Sequence, residues 1–116
     1  MDLITELNGM GVNTQEGLAR CMNKAELYER LLKKVPANIE QLEVLSLIDG
    51  GDYAAATANA HTIKGVAGNL SLSPLFTAYT EIVNLLRADK HEEARRILVD
   101  ILPVQEQITA CIKRYL

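Results

Sequence analysis

The chain has no tryptophan and only one phenylalanine, and aromatic residues are 4 % of its 116 positions. A core built from it must be aliphatic, as in helix bundles. Its two cysteines, Cys21 and Cys111, lie far apart in sequence, and no secretory leader pattern opens the chain. A disulfide scaffold is therefore not indicated; two reduced, largely buried thiols in a cytoplasmic protein are expected. No apolar run approaches the ~20 residues needed to cross a bilayer. Even the stretch from Val44 to Ile48 is interrupted by Ser46 and ends at Asp49. A basic excess is missing as well. The net charge is −3, and Lys33-Lys34 and Arg95-Arg96 are isolated pairs, so nucleic-acid binding is not expected. With 48 % hydrophobic and 23 % charged residues, the chain is long enough to bury one core without metal or disulfides, so residues 1–116 are expected to form a single domain.

Devices for holding nucleotides or metals are missing too. There is no Walker loop, nucleophile elbow or dinucleotide Gly-x-Gly-x-x-Gly, so no recognised ATP site exists in the sequence. Three residues before His61 stands Ala58, and three before His91 stands Ala88, which excludes the Glu-x-x-His pairs of di-iron bundles. Zinc would need Cys21, Cys111, His61 and His91 to converge without the usual spacings. No metal or cofactor is expected. His91 is expected to be exposed in the first turn of the last helix.

One further absence is local. From Tyr53 to Thr80 there is no Asp or Glu, and Lys64 is the only fixed charge. Within this stretch lies Ala60-His61-Thr62-Ile63-Lys64-Gly65-Val66-Ala67-Gly68. At 100° per residue, Lys64, Gly65 and Gly68 share the helix face of His61, whereas Ala56, Ala60, Ile63, Val66, Ala67 and Leu70 cluster opposite. An interior glycine costs a helix ~0.5–1 kcal/mol relative to alanine. Two of them beside one imidazole imply that something large approaches it closely. A neighbouring cation favours the neutral, nucleophilic imidazole and can stabilise a dianion added to it. The set suits a histidine that takes and gives a phosphoryl group. A lone helical histidine is most often an ordinary surface residue; the same-face glycines and the missing acids argue against that here.

The run Ala60-His61-Thr62-Ile63-Lys64-Gly65, followed by Ala67, Asn69-Leu70 and Leu75, closely resembles the His-x-x-Lys-Gly signature of histidine-containing phosphotransfer (HPt) domains. The Glu26-Leu27-Tyr28…Leu31-Leu32 pattern, the Gly51-Asp52 approach to the histidine helix and the following amphipathic helix extend the likeness over most of the chain. The resemblance implies a phosphocarrier in a two-component phosphorelay, phosphorylated on Nε2 of His61. It implies that Lys64 helps hold the phosphoryl group and that Gly65 clears space for the partner. The implied partners are response-regulator receiver domains, and a hybrid sensor kinase beyond them; Mg²⁺ and the aspartate nucleophile would belong to the receiver. Two positions depart from the family. Ser71 stands where a glycine usually follows Asn-Leu, and the Gln or Glu that relatives place near the histidine falls, in this register, on Val83. No residue of that helix is therefore carried over.

On the helical wheel Ala54, Thr57, Ala58, Gly68 and Leu72 border the site as a small, mostly uncharged docking platform. No autonomous kinase activity is expected. The phosphoacceptor helices of a sensor kinase are the near alternative, but there an acid normally follows the histidine directly; here Thr62 does. A non-catalytic helical-bundle adaptor is the alternative from another class. A monomer is expected, and Met1 with the lack of linker-like residues favours a self-standing protein over a module of a hybrid kinase.

The periodicity predicts an all-α chain, an antiparallel four-helix bundle with additional short N-terminal helices. Asp2 to Leu7 forms a first helix. Asn13, with Glu16 as capping-box partner, starts a second to about Met22. Asn23 and Glu26 cap a third, running from Lys24 to about Ile48 with an interruption at Pro36. Asp52 caps the histidine helix from Tyr53 to about Asn69. Ser73-Pro74 starts the next, and Asp89 with Glu92 caps the last, bent at Pro103.

Overall fold

A computed structural model describes residues 2–116, and among these eight helices and no strand occur. The histidine helix α6 (Tyr53–Asn69) is followed by α7 (Ser73–Arg87) and α8 (His91–Lys113). These pack in sequence through tight turns, giving three antiparallel members of a bundle. Asp52 caps α6 as expected, accepting from the Ala55 amide at 3.2 Å. α8 runs through Pro103 without a break.

The fourth position is filled by pieces. Where one long helix was predicted from Lys24 to Ile48, the chain forms α3 (Ala25–Leu32), α4 (Val35–Ile39) and α5 (Leu45–Asp49). The first break answers to Pro36: a continuous helix would set its ring against the Leu32 carbonyl. Instead the helix stops at Leu32 and restarts with Pro36 in the first turn of α4, where a missing N–H costs nothing. The second break follows from burial. Ile39, Val44 and Ile48 are the buried residues here, and the five-residue step from Ile39 to Val44 is out of helical phase. The loop between α4 and α5 leaves the Glu43 carbonyl for Asn59 of α6, whose amide donates to it at 2.8 Å. α4 and α5 both pack on α6 and α8.

Three cap assignments also change. Met22 and Asn23 both have positive φ, so Asn23 ends the turn before α3 and Lys24 takes the N-cap position. Asp89 has φ +60° and closes α7 in a Schellman motif, the Lys90 amide donating to the Leu85 carbonyl at 2.9 Å; Lys90 is the N-cap of α8. Leu72, rather than Ser73, is the N-cap of α7. His91 is not exposed as expected: it is half-buried, its ring stacked on Tyr53 with centroids 3.5 Å apart and planes 9° apart. Cys21 and Cys111 are buried free thiols.

The two N-terminal helices, α1 (Leu3–Gly9) and α2 (Thr14–Arg20), pack on each other at the ends of the bundle helices. α1 docks on the end of α8, where the Tyr115 hydroxyl donates to Glu6 and Arg114 lies 3.5 Å from the same carboxylate. α2 leans on Tyr28, a fully buried residue of α3, so closely that a Cβ on Gly17 would lie 2.3 Å from the phenol ring. The Tyr28 hydroxyl passes beyond α2 to donate to the Leu70 carbonyl at 2.8 Å.

Gly17→Ala should therefore destabilise the fold by ~1–3 kcal/mol despite alanine's better helix propensity, because a locked aromatic ring cannot move aside. Denaturant unfolding checks this; an unchanged or raised midpoint would mean that α2 does not approach Tyr28 so closely.

The Tyr115 hydrogen bond, helped by Arg114, holds the Glu6 carboxyl below its ordinary 4.5. The stabilisation from a depressed carboxyl is complete above its unfolded value and is lost as pH falls through the folded one. The stability advantage of the parent over Glu6→Gln should thus be constant near neutrality and shrink below about pH 4.5. Parallel urea titrations across acid pH test this, and a difference that grows on acidification would contradict it.

Candidate functional site

α6 is built around small residues. Its buried stripe is Ala56, Ala60, Ile63 and Ala67, which lets α7 and the α4–α5 segment close against the backbone. The opposite face carries His61, exposed at mid-helix, with Lys64 half-buried one turn on and Gly65 exposed beside it. The hydroxyls of Thr57 and Thr62 turn back to the carbonyls of Tyr53 and Ala58, at 2.7 and 3.1 Å. Neither is engaged with the imidazole.

A groove of about 460 Å³ opens along the C-terminal side of His61. Its lining comes from three elements: His61, Lys64, Gly65, Gly68 and Asn69 of α6; Ser73, Phe76 and Thr77 of α7; and Glu16 and Arg20 of α2, with Ser71 from the intervening turn. The two glycines that share the histidine face differ in role. A Cβ on Gly65 would meet nothing within 4 Å. One on Gly68 would lie 2.9 Å from Cε1 of Phe76, so Gly68 is covered by that ring and is not open to a partner. Phe76 is itself 40 % exposed and forms an apolar edge to the groove.

The expected platform divides. Ala54 and Ala58 are exposed and Thr57 is half-buried, all N-terminal to His61 and outside the groove. Leu72 is fully buried and belongs to the core, not to the surface: it follows the helix-ending turn, beyond which the α6 wheel no longer describes the chain. Val83 is also fully buried, so it does not face the imidazole; α7 brings Phe76 and Thr77 to the groove instead. Ser71 takes the left-handed conformation, φ +56°, that a glycine would adopt there, and the Leu72 amide closes the Schellman bond to the Ala67 carbonyl at 2.9 Å.

Seven groove residues were not among those expected at the site: Glu16, Arg20, Asn69, Ser71, Ser73, Phe76 and Thr77. Half of the capping box predicted for Glu16 is present, since its amide donates to the Asn13 side chain at 3.1 Å. Its carboxylate does not return to the Asn13 amide, which the Ser71 carbonyl takes at 3.2 Å; it accepts from the Ser71 hydroxyl at 2.7 Å. Phe76 carried one signal, as the only phenylalanine in the chain, eight residues after a glycine on the histidine face.

Among the described residues no three His, Cys, Asp or Glu side chains gather as a metal site would require, and no helix is long and apolar enough to cross a membrane. The groove thus offers an exposed imidazole, one adjacent ammonium and free space. A family model described as Hpt domain matches residues 26–115. The chain belongs to the Hpt domain family. Hpt domains serve histidine phosphotransfer in phosphorelays, as phosphocarriers rather than kinases, and interact there with receiver domains and kinases. Neither the curated proteins nor the solved structures gave a match. In this Hpt chain α1 and α2 precede the matched span, yet α2 supplies part of the groove beside His61.

The two glycines give a stability test. Gly65→Ala should gain up to ~1 kcal/mol, since the new methyl group enters open space within a helix. Gly68→Ala should gain less or nothing, because Phe76 must swing off its seat. Thermal unfolding ranks the two variants; the reverse ranking would show that the ring does not rest on Gly68.

Proposed function

We propose that this chain is a phosphocarrier whose phosphoacceptor is His61, taking a phosphoryl group from the aspartyl phosphate of one receiver domain and passing it to another. The observation that carries the reading is the space over Gly65: an exposed imidazole at mid-helix, one cation beside it, and nothing above the neighbouring glycine.

The step needs the unprotonated nitrogen of His61, Nε2 by the family resemblance, in line with the phosphorus. The lone pair forms the N–P bond as the bond between phosphorus and the aspartyl oxygen breaks, and the receiver recovers a carboxylate. The other ring nitrogen keeps its proton through the attack. Onward transfer is the reverse reaction with a second receiver's carboxylate as nucleophile. Lys64 stabilises the charge on the phosphoryl oxygens from the next helical turn. No acid lies between residues 53 and 80, so none on α6 repels the dianion. Receiver-bound Mg²⁺ would supply the remaining neutralisation. In-line attack requires an approach within about 3–3.5 Å, which a side chain at position 65 would obstruct.

Incubation with a phosphorylated receiver should place an acid-labile, alkali-stable label on the parent chain and none on His61→Gln. Gly65→Gln should keep the fold and lose transfer by about a hundredfold or more. Lys64→Ala should slow transfer about ten- to a hundredfold while leaving receiver docking largely in place. ATP alone should label nothing. A parent chain that no receiver labels would be a helical-bundle adaptor, and labelling from ATP would make it a kinase.

A further inference from the structure

One wall of the groove is α2, which brings Glu16 and Arg20 into the same recess as His61 and Lys64. Arg20 Nε lies 3.5 Å from Oε1 of Glu16, and both side chains are 52 % exposed. A surface pair of this kind contributes little to stability. Its anchorage distinguishes it. The same Oε1 accepts the 2.7 Å hydrogen bond from Ser71, a residue only 3 % exposed in the turn that ends the histidine helix. The anchored Glu16 carboxylate thus biases where the Arg20 guanidinium sits, next to the end of α6. Part of the ordering cost of using it at an interface is met before any partner arrives. Among the described residues Glu16 is the only acid lining the groove and it pairs with Arg20, so Lys64 leaves the lining with a net positive charge.

We propose that Arg20 is a docking residue that pairs with an acidic side chain bordering the phosphoaspartate of a receiver domain, with Glu16 and Ser71 holding it in place. The charge pattern selects this occupant, because the partner's reacting group is a carboxylate bearing a dianion and presents a negative surface to the groove. Arg20 comes from a different helix than His61 and Lys64. The choice of partner rests on the phosphocarrier reading above.

The test is calorimetric binding of the full chain to receiver domains, each carrying beryllium trifluoride on its aspartate so that docking is read without transfer. Arg20→Ala should weaken binding about three- to tenfold, and Arg20→Glu more than tenfold. Arg20→Lys should recover part of the loss, and the salt dependence of the parent should flatten in Arg20→Ala. Unfolding temperatures should not change, since the residue is half-exposed. Affinity and salt dependence equal to the parent in Arg20→Ala would overturn the proposal, as would the absence of binding to any receiver. Labelling of His61, followed separately with phosphorylated receivers, keeps the two readings apart. Arg20-dependent docking without label would sink the phosphocarrier reading alone, and normal label with Arg20-independent docking would sink this one alone.

Discussion

The site depends on the turn that ends the histidine helix. Three consecutive residues there close α6 and receive α2 and α3. Leu70 offers its carbonyl to the buried Tyr28 hydroxyl, and Ser71 uses its carbonyl for the Asn13 amide and its hydroxyl for Glu16. Leu72 completes the Schellman bond to Ala67. Holding a non-glycine residue in the left-handed region costs ~1–2 kcal/mol. The hydrogen bonds that Ser71 makes, each worth ~0.5–1.5 kcal/mol net, offset that cost. A glycine would satisfy the backbone and lose the link to Glu16. Ser71 therefore keeps the turn that the helix requires and adds a connection to α2, and through α2 it shapes the groove beside His61.

The same economy governs the face of α6. A helix that buries mainly alanine brings α7 and the α4–α5 segment close, and side chains from α7 and α2 line the groove on its exposed face. His61 needs no buried partner to be held in place, because the backbone that carries it is fixed from the opposite side. On the phosphocarrier reading, an imidazole on a rigid helix and open to solvent suits transfer between macromolecules, where both donor and acceptor must leave again. The two glycines divide the remaining work: Gly68 gives Phe76 a seat, and Gly65 stays clear.

The parts of this arrangement that were legible in the sequence are those set by local periodicity. The histidine helix, its Asp52 cap, its buried alanine stripe and the exposed face of His61, Lys64 and Gly65 all follow from a 3.6-residue repeat within one element. Reading failed where packing between distant segments decides. The stretch from Lys24 to Ile48 keeps apolar residues at helical spacing, yet Pro36 and the burial of Val44 divide it into three helices. Leu72 fell on the right side of the wheel, but the chain had left the helix by then. Glu16 satisfied the pattern of a capping box and met half of it, because a hydroxyl 55 residues away competed for its carboxylate. No local pattern records such a partner.

That competition explains how α2, outside the span shared with the family, becomes part of the groove. The family fold accounts for a histidine on a bundle face; it does not by itself decide what flanks that histidine. Here the flank is set by a chain of contacts of unequal rigidity. Tyr28 and Gly17 fix α2 by shape, since nothing larger than glycine fits under the ring. Ser71 fixes Glu16 by a hydrogen bond from a buried hydroxyl, and Glu16 steers Arg20 by charge across the surface. The rigidity falls from core to rim. Enlarging Gly17 would shift the whole element, whereas replacing Arg20 would change only what the groove presents. If His61 and Lys64 of α6 carry the transfer and Arg20 of α2 the docking charge, as proposed above, the charge on α2 can vary without disturbing the reacting groups.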